Sequence, residues 1–198
     1  GQGFGAFLTA GVELQLVGEA NDYVGKAMSG GRIVISPSMD DAGDPCLVGN
    51  TVLYGATSGE LFCAGSAGER FAVRNSGAVA VVEGVGDHAC EYMTRGSVVV
   101  LGPHGRNLGA GMTGGEAFLL APDERLVNDE LVALTPVDGT DAERLLALIE
   151  KHERATGSVR ARGLLAEFET TLGRFRRLVP WTHVAAERDS EGAERLTA

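Results

Sequence analysis

The stretch Asp87-His88-Ala89-Cys90-Glu91 brings carboxylates, an imidazole and a thiol together in a few residues. A cysteine near a histidine can act as an activated nucleophile, and the same side chains can bind a metal ion. The rest of the sequence supplies no obvious partner for either chemistry, and residues of this kind are also typical of turns. We predict a turn here, with a catalytic or metal-binding role as the alternative.

The stretch Gly109-Ala110-Gly111-Met112-Thr113-Gly114 contains the glycine spacing GxGxxG. A dinucleotide-binding loop with this spacing follows a strand and opens a helix, whose N-terminus holds the pyrophosphate. Here the glycines lead directly into Ala117-Phe118-Leu119-Leu120, an apolar run that is typical of a strand. The context favours a structural turn over phosphate binding.

The other residues that support chemistry in many proteins are scattered. Cys46, Cys63 and Cys90 fit neither a disulfide framework nor a zinc site, and their spacing suggests a reducing compartment. We interpret Asn21-Asp22-Tyr23 as a turn, with contact to a ligand or a neighbouring domain as the alternative. Three isolated histidines carry no functional signal: His104, His152 and His183. We therefore predict no catalytic, cofactor-binding or metal-binding residue in this chain.

The composition is that of a globular protein with one unusual feature. The chain has 198 residues, of which 44% are hydrophobic and 22% are charged, enough for one core and a small appendage. Glycine accounts for 29 residues, about twice its usual share of roughly 7%. The net charge of −10 argues against binding to nucleic acid or to an anionic membrane surface. The sequence contains no apolar run long enough to predict a transmembrane helix.

A repeat of about 20 residues organises the chain. Each unit has a small polar turn, then a glycine, then an apolar and often β-branched run. The glycines of five units are 28, 18, 19 and 19 residues apart: Gly31, Gly59, Gly77, Gly96 and Gly115. The long first step contains the polar insert 36–45. The residues two positions before these glycines can hydrogen-bond locally, and we predict that they form a polar ladder: Ser29, Thr57, Asn75, Thr94 and Thr113.

Aligning the glycines also predicts two inward rows of apolar side chains, because residues two apart share one face of a strand. The rows are Ile33, Leu61, Val79, Val98 and Ala117, and Ile35, Cys63, Val81, Val100 and Leu119. In the first strand we expect Val12, Leu14 and Leu16 inside. Parallel strands cannot be joined by hairpins, and the turns are too short for crossover helices. The predicted fold is therefore all-β, a parallel β-helix of stacked coils.

The residues three positions after each glycine predict an apolar stripe on the outside of the coils: Val34, Phe62, Ala80, Val99 and Phe118. An exposed stripe of this size needs a cover. Where the repeat stops, a capping box at Thr140-Asp141-Ala142-Glu143 predicts one amphipathic helix that ends at Thr156-Gly157-Ser158. A second helix is predicted over 164–175, before Pro180. Either these helices or other domains cover the stripe.

We divide the chain into three parts on these patterns. Residues 1–122 form the β-helix, 123–180 form a C-terminal segment with two amphipathic helices, and 181–198 form a polar tail that we predict to be disordered. The glycine-rich start, Gly1–Phe7, has the pattern of a mid-repeat turn whose first strand is missing. Because Gly1 is not a natural start, we expect a fragment or a processed product.

Eight segments resemble the GXGXG domain at the C-terminus of the large subunit of glutamate synthase. They agree with this family in order and spacing over roughly residues 1–180: Gln2–Phe7, Glu19–Lys26, Gly49–Thr57, Gly65–Phe71, Arg74–Ala78, Glu83–His88, Cys90–Met93 and Gly109–Met112. The chain departs from the family at Gly3, where serine is common, and at Ala27 and Ala89, where glycine is common. It also has Arg95 in place of the first glycine of a pair. Each departure lies in a predicted turn.

The resemblance implies a right-handed parallel β-helix within a larger cytoplasmic enzyme. The parent enzyme hydrolyses glutamine and passes the ammonia to a barrel domain that carries FMN and a three-iron cluster, where it combines with 2-oxoglutarate. The family assigns no catalytic residue to the GXGXG domain. We therefore expect a non-catalytic domain that braces the amidotransferase and FMN-binding domains and holds no cofactor of its own.

Two alternatives remain at this stage. Relatives of the GXGXG domain form separate subunits of N-methylglutamate synthase and of formylmethanofuran dehydrogenase. In the first alternative, this chain is a separate subunit of such a complex. Alternatively, an independent β-helix would bind an anionic substrate or a sugar on an outer face. An aromatic content of only 6% disfavours the sugar-binding interpretation.

Overall fold

The computed structural model describes residues 1–39, 41 and 43–186. Seven strands come first: β1 Glu13–Val17, β2 Ser29–Ser36, β3 Cys46–Val48, β4 Ser58–Ala67, β5 Ser76–Gly84, β6 Arg95–Val100 and β7 Glu116–Leu120. The remaining elements are β8 Val132–Pro136, α1 Gly139–Thr156, α2 Val159–Ala166, α3 Phe168–Thr171 and β9 Phe175–Pro180. Short 3₁₀ turns occupy Glu124–Leu126 and Leu172–Arg174.

The strands belong to one sheet with the order β1-β2-β4-β5-β6-β7-β9-β8, and β3 pairs with β4 beside this path. Neighbouring strands from β1 to β7 are parallel, whereas β9 is antiparallel to both β7 and β8. Successive parallel strands that stack without crossover helices form a β-solenoid, so the predicted all-β parallel β-helix is confirmed. The antiparallel pair β8 and β9 was not predicted, and it closes one end of the stack.

Each coil contains a turn with an unusual backbone, which we call the alternating turn. In it, every second residue has a positive φ: Gly3, Gly5, Phe7; Tyr23, Gly25, Ala27; Thr51, Leu53, Gly55; Arg70, Ala72, Arg74; His88, Cys90, Tyr92; Asn107, Gly109, Gly111. In the four middle turns, the amides of these residues donate alternately to the next coil and to the preceding one. The Tyr23 amide donates to Asn50 O at 2.9 Å, for example, and the Gly25 amide donates to Phe4 O at 2.9 Å. Because this conformation costs a residue with a side chain about 1–2 kcal/mol, the turn favours glycine.

Three columns of side chains fill the solenoid, each with one residue per coil. The register places two of them on the strands: Ile33, Leu61, Ala80, Val98 and Ala117, and Ile35, Cys63, Val82, Val100 and Leu119. The third follows the alternating turn: Met28, Ala56, Asn75, Met93 and Met112. All these residues are buried, so each coil is stabilised mainly by its two neighbours.

The coil that contains β5 is displaced by one residue from the predicted register. Leu61 pairs with Ala80, whereas the glycine alignment placed it beside Val79. The inward residues of this coil are therefore Ala80 and Val82, in place of the predicted Val79 and Val81. Val81 takes the position in the outer stripe that the alignment assigned to Ala80.

An extra residue at Gly77-Ala78 causes this displacement, since the pairing of β5 with β6 shifts register there. The buried Asn75 side chain bridges the bulge. Its Oδ1 accepts from the amides of Gly77 and Ala78, and its Nδ2 donates to Ala78 O at 2.9 Å. Asn75 therefore lies inside the solenoid, and Ser76 replaces it in the polar ladder, where Thr94 Oγ1 donates to Ser76 Oγ at 3.2 Å.

Four of the five repeat glycines lie level with each other across the coils, and Ala78 replaces Gly77 as the fifth member of the column. An added Cβ at Gly31 would lie 2.6 Å from Val12 O, and one at Gly59 would lie 2.9 Å from Gly30 O. The carbonyl oxygens of the preceding coil thus occupy the space of the missing side chains. The members of this column with positive φ are Gly31, Gly59, Gly96 and Gly115.

The outer stripe is covered by the helices of this chain. Its members, with Val81 in the corrected place, are buried: Val34, Phe62, Val81, Val99 and Phe118. They form one apolar cluster with Leu145 and Ile149 of α1, Ala161 of α2, Phe168 of α3 and Phe175 of β9. Burial of such a side chain is worth roughly 1.5–3 kcal/mol. Of the two predicted covers, the helices are therefore the one that the structure shows.

The segment after residue 122 differs from the prediction at three points. The N-cap of α1 is Asp138, without a side-chain cap bond, so the capping box at Thr140 is wrong. The second helix does not continue to Phe175, because the chain enters β9 there and pairs with β7. Residues 181–186 of the predicted disordered tail are helical, and Val184 packs against Val179. The rest of that tail, 187–198, lies outside the described residues.

The first coil is less buried than the others. Leu14 and Leu16 pair with Ile33 and Ile35, as members of the two strand columns, but both are only half-buried. Val12 is exposed, so the prediction that it faces inward is wrong. The strand begins after Val12. The carbonyl oxygen of Val12 lies against Gly31 of the next coil, in the space that a side chain would fill.

Candidate functional site

The polar groups of Asp87–Glu91 bond within the turns of the solenoid. His88 Nδ1 lies 2.7 Å from Glu91 Oε1, and both side chains are largely buried. Asp87 accepts from the Arg106 amide at 3.0 Å and from its Nε at 2.9 Å. These bonds to the next coil hold the pKa of Asp87 below its usual value. The arrangement is that of a turn, which was the favoured prediction.

The buried thiols do not complete a nucleophilic pair. Cys90 is fully buried, and burial raises the pKa of its thiol to about 12. It therefore stays protonated at neutral pH, and His88 hydrogen-bonds to Glu91. Burial, and secondarily the charge of Glu83, also raises the pKa of Cys63, which lies in a core column. Among the described residues, no group of three or more His, Cys, Asp or Glu side chains has a geometry suited to a metal ion.

Most amides of the GxGxxG stretch already donate within the protein, and the space beside two of its glycines is filled. The amides of Gly109 and Gly114 donate to Ala89 O at 2.9 Å and to Met93 O at 3.2 Å. An added Cβ at Gly109 would lie 2.9 Å from the Leu178 side chain of β9, and Gly111 is covered by the Tyr92 ring. A phosphate-binding loop needs amides that point at the ligand. Here those amides and that space serve coil stacking, and the chain continues into β7.

The stretch Asn21-Asp22-Tyr23 takes part in a ladder of side-chain caps between coils. Asp22 Oδ1 accepts from the Asn50 amide at 2.8 Å, and Asn50 Oδ1 accepts from the Glu69 amide at 2.8 Å. The Asp87 bond to the Arg106 amide repeats the same contact farther along the solenoid. This polar stretch is therefore a turn that stabilises stacking, although the Tyr23 ring itself is exposed.

A polar cluster at Glu83 links the solenoid to the helices, and sequence reasoning missed it. Glu83 stands near the end of β5. His152 of α1 is fully buried, with Nε2 3.3 Å from Glu83 Oε1. Ser158, the N-cap of α2, donates its hydroxyl to the same carboxylate oxygen. Arg160 Nε lies 3.6 Å from Glu83 Oε2, and its Nη2 donates to Asp44 at 2.6 Å. Burial alone would raise the pKa of Glu83, but these partners outweigh burial and lower it.

The order of contacts in this cluster favours docking over catalysis. A nucleophilic serine needs a base that takes its proton, with a third group that orients the base. Here the Ser158 hydroxyl meets the carboxylate of Glu83, and the His152 imidazole meets the same oxygen from another side. Ser158 Oγ also accepts from the Ala161 amide at 2.9 Å to cap α2. The cluster therefore fixes α1 and α2 on the middle of the solenoid.

Ion pairs fix the same helices on either side of Glu83. Glu60 on β4 accepts from Lys151 of α1 at 3.0 Å. Glu116 on β7 accepts from Arg144 of α1 at 2.6 Å and from Arg177 of β9 at 2.9 Å. These contacts surround an apolar interface, so they fix the position of the helices more than they add stability.

Of the three isolated histidines, only His152 lies in such a cluster. A sequence signal was available, because His152 falls on the apolar face of α1 one turn after Ile149, where a polar residue needs a partner. His104 caps a turn, and its Nε2 accepts from the Asp123 amide at 3.1 Å. His183 lies in the helical segment 181–186 and is exposed.

Comparison with known proteins places this geometry in a family. A family model described as "GXGXG motif" matches residues 1–181. The chain belongs to the GXGXG motif family. It is 54% identical over 187 residues to the ferredoxin-dependent glutamate synthase of Pyropia yezoensis, covering 91% of this chain and 12% of that protein. The enzyme of Spinacia oleracea is 48% identical over 100% of this chain and 13% of its own length. The glutamate synthase [NADH] of Schizosaccharomyces pombe is 49% identical over 99% of this chain and 10% of its own length.

Two of the alternating turns contain glycine at every second residue. Gly3 and Gly5, like Gly109 and Gly111, place glycine at alternate positive-φ positions. The resemblance to a segment of the large subunit of glutamate synthase is confirmed, and the chain spans between 10% and 13% of the length of the three relatives named above. No helix within the described part of the chain is long and apolar enough to cross a membrane.

Proposed function

We propose that this chain is a non-catalytic structural domain of a glutamate synthase. The observation that carries the proposal is a match over nearly the whole chain, at about half identity, to segments of ferredoxin-dependent and NADH glutamate synthases. Relatives at this level of identity share a fold, and the chain supplies only a small part of each of them.

The use of the polar groups supports a structural role. In the GxGxxG stretch, the amides of Gly109 and Gly114 donate to the neighbouring coil. Cys90 is buried with a raised pKa, and Asp87 caps the next turn. Glu83 and its partners dock the helices. Groups that are consumed in this way have little capacity left to bind and transform a substrate.

The wider enzyme follows from the family resemblance. We propose that it converts glutamine and 2-oxoglutarate to two molecules of glutamate, with FMN and an iron–sulfur cluster held in other domains. The partners of this chain are then the amidotransferase and FMN-binding synthase domains of the same enzyme, and its location is the cytoplasm. Because all three relatives described above are glutamate synthases, we favour this enzyme over N-methylglutamate synthase or formylmethanofuran dehydrogenase.

A segment exchange tests this proposal. Ferredoxin-dependent glutamate synthase 2 of Synechocystis is 50% identical over 98% of this chain, so its matching segment can be replaced by the chain. The hybrid is expected to form glutamate from glutamine and 2-oxoglutarate. A hybrid that carries Gly96→Val, which places a side chain against Ala78 O of the adjacent coil, is the inactive control.

The isolated chain provides the complementary test. We expect it to hydrolyse no glutamine and to show no flavin absorption after incubation with FMN. A hybrid enzyme that is folded but makes no glutamate would contradict the assignment. Glutamine hydrolysis by the isolated chain that is lost on Cys90→Ser would contradict the non-catalytic role.

A further inference from the structure

The alternating turns stack into one face of the solenoid, which we call the turn face: residues 2–7, 21–27, 50–55, 69–74, 87–92 and 106–111. All three tyrosines of the chain lie on it: Tyr23, Tyr54 and Tyr92. Three aromatic residues of this face are exposed, Phe7 by 71%, Tyr23 by 43% and Tyr92 by 56%. Tyrosine is enriched at protein interfaces because it combines a large apolar ring with a polar tip.

The backbone under these rings makes their presence informative. Phe7, Tyr23 and Tyr92 have φ values of 61°, 62° and 53°, in the left-handed region that favours glycine. Glycine occupies the position of Phe7 and Tyr92 in two other coils, as Gly55 and Gly111, and the position of Tyr23 in the first coil, as Gly3. A side chain in this conformation has an unfavourable backbone energy. The exposed Phe7 and Tyr23 recover little of it by burial, whereas the Tyr92 ring also covers Gly111. Such outliers indicate a function for the side chain outside the fold.

The charge of the turn face differs from that of the rest of the chain. The face carries four cations, Lys26, Arg70, Arg74 and Arg106, and four carboxylates, Asp22, Glu69, Asp87 and Glu91, so its net charge is zero while the whole chain carries −10. Within the described part of the chain, Asp22 and Asp87 accept backbone amides, Glu91 meets His88, and Arg74 is in no ion pair. The face therefore offers a free guanidinium among exposed rings, without the repulsion that the rest of this acidic surface exerts on acidic partners.

We propose that the turn face is the surface by which this domain binds the catalytic remainder of its glutamate synthase. The proposal rests on the function proposed above, which supplies the partner. That partner presents apolar pockets to the rings of Phe7, Tyr23 and Tyr92 and a carboxylate to Arg74. The helical side of the solenoid cannot serve in the same way, since α1 and α2 already cover its apolar stripe.

A binding measurement between two purified proteins tests the proposal. The first protein is this chain, and the second is Synechocystis ferredoxin-dependent glutamate synthase 2 without its own matching segment, used only after circular dichroism and gel filtration show that it is folded and not aggregated. The test variants are Phe7→Gly, Tyr23→Gly and Tyr92→Gly, each of which removes a ring and relieves backbone strain at the same position. Each is expected to weaken binding roughly tenfold or more, while its midpoint in urea unfolding stays unchanged or rises.

Two controls separate the ring from the backbone and the turn face from other surfaces. Ala27→Gly makes the same backbone change on the turn face without removing a ring, so binding is expected to stay as in the unmodified chain. Val159→Ala trims a side chain of α2 that is 79% exposed on the helical side, and it is expected to change neither binding nor stability.

The outcomes distinguish this inference from the function on which it rests. If the unmodified chain binds and the three glycine variants bind equally well, the turn face is not the interface, while the proposed function stands. If the unmodified chain does not bind the folded remainder at all, the turn-face inference fails, while the proposed function is decided separately by the glutamate formation of the hybrid enzyme. If the glycine variants lose stability together with binding, the rings serve the fold and the proposal is overturned. Weaker binding at unchanged or higher stability supports it.

Discussion

The two ends of the solenoid are built differently. At the β7 end, β9 and β8 add an antiparallel pair, and Leu178 of β9 is fully buried against the last coil. At the β1 end, no strand within the described residues pairs with the outer edge of β1, and Leu16 is only half-buried. Val17 beside it is 72% exposed. A leucine at the level of the strand columns is thus fully buried at the β7 end and only half-buried at the β1 end.

This difference shows how burial arises in a stacked fold. A coil cannot bury its apolar side chains by itself, so each depends on a neighbour on both sides. The outer stripe follows the same rule. Its member at the β7 end is Phe118, which is buried under helices, whereas the register places Gln15 at the β1 end, where it donates to Glu13 at 2.8 Å and is exposed.

The largest contrast between the ends is expected at these two positions of the outer stripe. Phe118→Ala removes a fully buried ring from the cluster under α1 and should cost about 3–5 kcal/mol of unfolding free energy. Gln15→Ala changes an exposed side chain and should stay within about 0.5 kcal/mol of the unmodified chain. Urea unfolding of both variants measures the contrast. A small effect at Phe118 would mean that the helices dock elsewhere in solution.

A second pair tests the columns with identical chemistry. Leu178→Ala and Leu16→Ala remove the same atoms from the closed end and from the open end. Leu178→Ala should lower the unfolding free energy by about 2–5 kcal/mol, the range for fully buried leucines. Leu16→Ala should lower it by less than about 2 kcal/mol. Calorimetry or urea unfolding decides the order. Equal losses would show that the open end is buried in solution, for example by self-association, which a dependence on protein concentration would reveal.

The middle of the solenoid differs from both ends in its dependence on pH. Glu83 docks α1 and α2 there, and its pKa is below the ordinary value of 4.5. A carboxylate with a lowered folded-state pKa stabilises the fold above pH 4.5, and this contribution is lost as the pH falls through the folded-state pKa. Glu83→Gln should therefore cost about 1–3 kcal/mol at neutral pH and flatten the fall of stability below pH 4.5.

The control for this prediction is Glu150→Gln on the exposed side of α1, which should leave the pH profile unchanged. Melting temperatures measured from neutral pH down to below pH 4.5 give the comparison. If the Glu83→Gln and unmodified chains lose stability in parallel over this range, Glu83 does not contribute in the manner proposed.

The parallel stack was predictable because its signal is periodic. Glycines every 18 or 19 residues, with apolar residues at fixed distances after them, specify coils of constant length. The register of β5 was not predictable from the glycines alone, because Asn75 bridges a one-residue bulge and thereby moves Gly77 out of its column. The pattern around Gly77 gives no sign of this, since shifting the strand by one residue still leaves apolar residues on both faces.

The features that sequence reasoning missed depend on contacts far apart in the chain. β9 replaces the end of a predicted helix because the last coil offers an unpaired edge, and pairing there outweighs the local helical pattern. The cluster of Glu83, His152 and Ser158 joins residues that are 69 and 75 positions apart. Each of these side chains is unremarkable alone, and only the packing of α1 on the outer stripe brings them together.

The smallest expected effect compares a coil near the open end with one near the closed end. Ala27 and Ala89 lie in the turns of the second and fifth coils, at positions where the resemblance leads us to expect glycine, but their backbones differ. Ala27 has φ 52° in the left-handed region, whereas Ala89 is not among the residues with positive φ. Ala27→Gly should therefore raise the unfolding free energy by about 0.5–1 kcal/mol, because glycine relieves strain there.

Ala89→Gly should instead lower the unfolding free energy by about 0.5–1 kcal/mol, because it adds flexibility to the unfolded chain and relieves no strain. It also removes a buried methyl group, since Ala89 is fully buried. Urea unfolding of the two variants and the unmodified chain shows in one experiment whether the unfolding free energy rises for Ala27→Gly and falls for Ala89→Gly. Shifts in the same direction would mean that backbone conformation does not decide where this solenoid favours glycine, and the strain argument for the turn face would lose its support.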